Sequence, residues 1–267
     1  MIELQIEGAV AWIRLNRPEK RNALGAWFWD EAAAVIARVD AERAVRVAVV
    51  AGVGKAFTAG LDLVEMVPKI PIGQGAPDGE RQARLHGLIR QMQAAMTCFE
   101  RCRVPVIAAV HGPCIGAGVD LVTACDIRLA AADAVFSVRE TKLAMVADVG
   151  TLQRLPRIVG PGAARELVFT GRDFGADEAA RIGLVQRVLP DEAALMAAAG
   201  ALAAEIAANA PLAVQGAKRV MNEAQRADID RELEYVATWN AAHLVTQDLG
   251  VAVTAFVTRQ AAEFAGR

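Results

Sequence analysis

The sequence predicts an α/β fold in which buried strands alternate with helices, followed by a helical C-terminal part. Three observations point there. Residues 45–50 and 106–110 are short apolar runs, rich in Val and Ala, with the length and composition of buried strands. Each run leads into a loop of small residues and then a helix start: residues 51–60 into Leu61, and residues 111–118 into Val119. A strand–helix unit repeated in this way implies right-handed connections. Beyond Leu152 the chain turns mainly helical.

The elements follow in order. Ile2, Leu4 and Ile6 alternate with polar residues, Glu7-Gly8 turns, and Val10, Trp12, Ile13 and Leu15 continue, which predicts a hairpin. Residues 16–22 form a polar loop in which Pro18 stops the strand. Trp27, Phe28, Ala32, Val35, Ile36 and Val39 fall on one side of a helix over 24–39. Pro68, Pro71, Gly73, Gly75 and Pro77 predict a mobile loop over 68–79, beside a ligand site. A long helix over 80–102 then leads back to the strand at 106–110. Later elements are helices over 163–170 and 176–182 and a strand over 184–188. Residues 191–267 are almost wholly helical, broken at Asn209-Ala210-Pro211. With no low-complexity linker, the chain divides into a core domain, 1–195, and a helical C-terminal region, 196–267.

Composition narrows the function. Of 267 residues, 54% are apolar and 22% charged, which describes a soluble, well-cored protein. The 29 Lys and Arg are balanced by 31 Asp and Glu and form no run, so nothing favours nucleic acid as a partner. No uncharged apolar segment has the length of a membrane span. Cys98, Cys102, Cys114 and Cys125 show neither a disulfide framework nor metal spacing. Reduced thiols, and an N-terminus without a basic-then-apolar leader, lead to the expectation of a cytoplasmic protein.

The candidate chemistry lies between residues 105 and 150. A backbone N–H from each small-residue loop, Leu61 and Ala117, would form an oxyanion hole for an enolate. Tight packing is the structural alternative, and the repetition of the design favours the functional reading. Gly116-Ala117-Gly118 lacks the third glycine of a dinucleotide loop. Ser137 lies outside any GxSxG, and His86, His111 and His243 lack metal-ligand spacing, so no metal is expected. Asp120, Glu140 and Asp148 each have a structural reading, as a first-turn helix acid, a surface charge and an N-cap. Together, in an apolar setting, they suggest acid/base groups with raised pKa values. Arg17, Lys20 and Arg21 are either surface charge or a phosphate clamp.

These residues resemble the crotonase (enoyl-CoA hydratase/isomerase) superfamily. The resemblance rests on Asn16-Arg17-Pro18 with Asn22-Ala23-Leu24, on residues 55–63 and 105–112, on Gly116-Ala117-Gly118, and on Ala124-Cys125-Asp126-Ile127-Arg128. It implies a spiral of repeated β-β-α units, a C-terminal trimerisation region, and a homotrimer or dimer of trimers. The substrate implied is an acyl-CoA thioester, with no cofactor beyond the coenzyme A it carries. Asp120 and Glu140 fall where hydratases carry two glutamates, and Asp148 where hydratases have Gly. Residues 118–128, 147–156, 235–240 and 246–249 look like the dienoyl-CoA isomerase branch, which conjugates a 3,5-dienoyl-CoA with its thioester in fatty acid β-oxidation. Ala117 stands where the family commonly has Gly, and its N–H survives that change.

The resemblance makes Glu140 the base at the α-carbon, Asp148 the proton donor at the far end of the diene, and Asp120 their support. CoA would lie along Arg17, Lys20 and Arg21, with adenine near Ala59, Gly60 and Asp62, and Phe256 and Arg259 of a neighbouring subunit would close over it. Two alternatives remain at this point. One is a hydratase in which Asp120 and Glu140 position a water, and the other is an acyl-CoA-binding protein without catalysis.

Overall fold

The computed structural model describes residues 1–70 and 78–266. Most of the expected mobile loop, residues 71–77, lies outside the described residues; on either side, Val67–Lys69 is a turn of 3-10 helix and α3 begins at Asp78. The chain opens with β1 (Ile2–Glu7), β2 (Val10–Leu15), α1 (Ala26–Ala41), β3 (Val47–Gly52) and α2 (Leu63–Met66). Then come α3 (Asp78–Arg101), β4 (Val106–Val110), β5 (Pro113–Ile115), α4 (Ala117–Ala124), β6 (Ile127–Ala131) and β7 (Val135–Ser137). A 3-10 turn at Glu140–Leu143 precedes α5 (Thr151–Val159), α6 (Pro161–Thr170), β8 (Phe174–Gly175), α7 (Ala176–Arg181) and β9 (Arg187–Leu189). The chain ends in α8 (Glu192–Ala207), α9 (Pro211–His243) and α10 (Gln247–Thr258).

β1 and β2 form the expected antiparallel hairpin, Ile2 opposite Leu15. β2, β3, β4, β6 and β9 then run parallel in one sheet, while β5, β7 and β8 make a second, smaller one. Parallel strands covered on both faces read as continuous apolar runs. β3 is such a strand. Val47, Val49 and Ala51 pack against Leu195, Ala199 and Ala203 of α8. Ala48 and Val50 belong to the opposite cluster, with Phe28 of α1 and Phe99 of α3. Those two rings stack with centroids 6.3 Å apart. α9 is fastened to this core by the buried Lys218, which donates to Asp126 Oδ2 at 2.7 Å and to Val104 O at 3.0 Å.

Three departures have local causes. β5 and β7, each three residues long, carry too little sequence to show a period. The strand expected over 184–188 begins later, because Leu184 and Val185 fold back so that both N–H groups donate to Ala179 O. Both side chains stay buried without joining the sheet. The chain beyond Thr258 leaves the helix at Arg259, whose φ is 57°.

Candidate active site

The two small-residue loops are laced together by backbone hydrogen bonds. Phe57 N donates to His111 O at 2.8 Å, Thr58 N to Pro113 O at 2.9 Å, and Ile115 N to Thr58 O at 3.2 Å. Two side chains reinforce the seam. Asn22, fully buried, donates to Val53 O and Ala56 O and accepts from Arg17 N, and His111 Nε2 lies 2.7 Å from Gly54 O. Gly60 sits where the loops come closest, with φ +88°; a Cβ there would lie 2.5 Å from Ile115 O and 3.8 Å from Ala117 N. Ala117 is the first residue of α4, where N–H groups have no intrahelical acceptor. Among the described residues neither Leu61 N nor Ala117 N has a hydrogen-bond partner. Leu61, Ala117 and the acids line one cleft of about 550 Å³.

Asp120, Glu140 and Asp148 all open on that cleft. Asp120 comes from the first turn of α4, and its Oδ1 accepts a 2.5 Å hydrogen bond from Thr151 N, at the head of α5. It thus fills the capping role that the sequence offered to Asp148; the N-cap itself is Gly150, with no side-chain bond. Glu140 begins a 3-10 turn, and its Oε1 lies 3.1 Å from where a Cβ on Gly116 would be. Asp148 Oδ2 accepts from Asn240 Nδ2 of α9 at 2.6 Å, and Asp148 O accepts from Gln93 Nε2 of α3 at 2.7 Å. Among the described residues Asp120 Oδ2 and Glu140 Oε2 are buried without partners.

This setting moves every one of the three acids the same way. Burial raises the Glu140 pKa, and the charges of Asp120 and then Asp148 push it further. Burial raises Asp148 to about 7, partly opposed by the Asn240 hydrogen bond. Asp120 is raised by burial as well, against the Thr151 hydrogen bond and the charge of Arg154. Carboxyl groups held near neutrality both accept and donate protons, and two backbone donors stand ready for the charge that develops between those steps. Among the described residues no cluster of His, Cys, Asp and Glu is arranged to hold a metal.

The residues read from the sequence as a CoA clamp separate. Arg17 is not a free cation: its Nη1 lies 2.9 Å from Asp62 and 3.5 Å from Glu65. Asp62 is the N-cap of α2, accepting from Glu65 N at 3.1 Å. Lys20 is exposed and outside the cleft lining, whereas Arg21, Ala59 and Gly60 line it. Phe256 also lines it, but from the chain's own α10, because the turn at Leu244–Thr246 folds α10 back over the 3-10 turn that carries Glu140. The sequence reading looks for Phe256 from a neighbouring subunit; within the single chain it already lines the chain's own cleft. Arg259 is exposed and outside the lining.

Sequence reasoning missed Lys142, an exposed cleft residue with no ion-pair partner among the described residues, and Arg139, whose carboxylate partner is Asp173. It also missed Gln93 and Asn240 as supports. A buried amide on a helix gives no local signal of what it will meet. All four cysteines are free, three of them buried.

Comparison with known proteins places the chain in a family. Residues 5–267 match the Enoyl-CoA hydratase/isomerase family. The mitochondrial Delta(3,5)-Delta(2,4)-dienoyl-CoA isomerase of Rattus norvegicus is 44% identical over 256 residues, 94% of this chain and 77% of that protein. The peroxisomal enzyme of that name from Arabidopsis thaliana is 41% identical, over 99% of this chain and 96% of its own length. A crystal structure of an enoyl-CoA hydratase/isomerase from Pseudoalteromonas atlantica superposes with a TM-score of 0.84 at 26% identity, covering 99% of both chains. The compartments of the two sequence relatives are mitochondria and peroxisomes, which overturns the cytoplasmic expectation.

Proposed function

This chain belongs to the enoyl-CoA hydratase/isomerase family, and we propose that it is the acyl-CoA isomerase that converts 3,5-dienoyl-CoA to 2,4-dienoyl-CoA in β-oxidation. The thioester oxygen takes the N–H groups of Leu61 and Ala117. Glu140 removes a proton from C2, and the electron pair spreads through the diene onto that oxygen. Asp148 gives a proton to C6, leaving double bonds at C2 and C4. Asp120 keeps the other two acids poised. The reaction draws only on side chains, backbone donors and the CoA that the substrate carries.

The observation that carries this reading is Asp148, a carboxyl group with its pKa near neutrality in the same cleft as Glu140. Hydration of a 2-enoyl-CoA has no use for an acid at the far end of a diene. The test offers 3,5-dienoyl-CoA and 2-enoyl-CoA side by side to the wild type and to Asp148→Asn. Loss of a general acid costs on the order of a hundred- to ten-thousandfold, and we expect that loss on the dienoyl substrate. Hydration of the enoyl substrate alone would make the protein a hydratase, and binding without turnover a non-catalytic acyl-CoA protein.

Among the described residues, Arg21 and Lys142 are cleft cations without an ion-pair partner and would meet the CoA phosphates, with Ala59 and Gly60 beneath the nucleotide. Assembly into a homotrimer or a dimer of trimers through the region 196–267 is supported by the exposed apolar residues Leu212, Val220, Met221, Tyr235 and Trp239 of α9. Exposed large apolar side chains of this kind are what a protein interface covers. The same region serves catalysis, since Asn240 and Phe256 reach the cleft from it.

A further inference from the structure

A buried guanidinium stands behind the acid cluster. Arg154 is 3% exposed and lies one turn into α5, after Thr151. Its Nη2 donates to Thr97 Oγ1 at 3.0 Å and to Glu100 Oε2 at 2.8 Å, both on α3. Its Nε and Nη1 are buried with no partner among the described residues. Nη1 lies against the backbone of Gly150, φ +139°, where a Cβ would come within 1.8 Å of it. Gly150 therefore lets a full positive charge reach the first turn of α5. The next residue, Thr151, is the one whose N–H holds Asp120.

We propose that Arg154 is a positioning residue of the acid cluster, whose guanidinium, lodged over Gly150 at the head of α5, favours the ionised form of Asp120 over those of the other two acids. Arg is charged at every working pH, so its position alone sets its effect. The N-terminal end of α5 adds its dipole to the same side. Glu140 and Asp148 face Asp120 within the cleft, Cys114 faces it from β5, and Glu100 competes for Arg154 from α3. With the anion favoured at Asp120, a proton entering the cluster goes first to Glu140 or Asp148, the two groups that meet substrate in the proposed reaction. Without Arg154, Asp120 competes with them for it more strongly.

The inference rests on the isomerase reading for its purpose but is tested without turnover. The Asp120 carboxyl is titrated by carbon-13 NMR in the ligand-free protein, its resonance assigned by its loss in Asp120→Asn. In Arg154→Met the midpoint rises by about one unit or more, a tenfold change in the proton equilibrium, and in Arg154→Lys most of the rise is reversed. The acid limb of the kcat/KM profile moves up with it. An unchanged midpoint in Arg154→Met overturns the inference. If that variant does not fold, Glu100→Gln asks the same question, since removing the competing carboxylate lowers the Asp120 midpoint, and no movement overturns it equally. A shifted midpoint in a protein inert towards 3,5-dienoyl-CoA sinks the isomerase reading and leaves the role of Arg154 standing; turnover with an unmoved midpoint does the reverse.

Discussion

Asp148 Oδ2 accepts a 2.6 Å hydrogen bond from Asn240 Nδ2, and the same amide nitrogen lies 2.9 Å from Val146 O. One buried side chain of α9 therefore pins the loop that carries the proposed proton donor. Asn240 donates to the carboxylate, so it stabilises the ionised form and holds the Asp148 pKa below where burial alone would put it. In Asn240→Ala we expect the Asp148 pKa to move up from about 7 and kcat to fall about ten- to a hundredfold, as for a buried hydrogen bond to a charged group. The pH profile of kcat/KM decides it, because a purely structural role for Asn240 leaves the limbs where they are.

Asp120→Asn isolates the charge of Asp120 from its hydrogen bond. The amide oxygen of Asn still accepts from Thr151 N, so α5 keeps its anchor. The negative charge that raises Glu140 is gone, and the Glu140 pKa falls. We expect the variant to turn over slowly, with the limb belonging to Glu140 displaced towards acid. A limb that stays in place would show that burial alone sets Glu140.

Gly60 tests the oxyanion hole. Its φ of +88° is costly for any residue with a Cβ, and that Cβ would press on Ile115 O at 2.5 Å. Gly60→Ala must therefore part the loops that bring Leu61 N and Ala117 N together. Displacing such a donor costs on the order of a hundred- to a thousandfold in kcat. Circular dichroism and kcat measured together separate this from collapse of the fold: native spectra with unimpaired kcat would rule the hole out.

Lys142 and Arg17 should part company in kinetics. Lys142 is exposed at the cleft, so Lys142→Ala raises KM for the acyl-CoA by a few fold, about 1 kcal/mol or less, with kcat unchanged. Arg17 is tied to Asp62 and Glu65, and Glu65 Oε1 in turn accepts from Ala26 N at the start of α1. Arg17→Met should lower the melting temperature as well as weakening binding. Equal effects of both variants on KM alone would return Arg17 to the phosphate clamp.

How much of this was legible depended on how local each signal was. The hairpin, β3 and β4 show in a few adjacent residues, because alternation or an unbroken apolar run is enough to specify them. The paired loops show because the same design occurs twice. Arg17 reads as surface charge or a phosphate clamp because Asp62, its ion-pair partner, is distant in sequence. Asn240, Gln93 and Arg154 gave no warning for the same reason: each acquires its role only when α9, α3 or α5 docks. The acids show as a group, and Asp120 does sit in the first turn of α4, yet the capping of α5 expected of Asp148 falls to Asp120, which only the course of the chain into α5 decides.

The buried acids should also leave a mark on stability. A carboxyl group has a pKa of about 4 in the unfolded chain, and Asp148 titrates at about 7 when folded. Between those values the folded state keeps a proton that the unfolded state has lost, so stability falls as pH rises through that window. Below it there is no penalty, and above it the penalty is complete. Asp148→Asn removes the titration while leaving an oxygen for Asn240 Nδ2. At about pH 9 the variant should therefore melt several degrees above the wild type, whereas near pH 4 the two should coincide. Calorimetry across that range checks the sign: a gap that is constant in pH, or widest in acid, would mean that Asp148 is not the strained acid on which the isomerase reading depends.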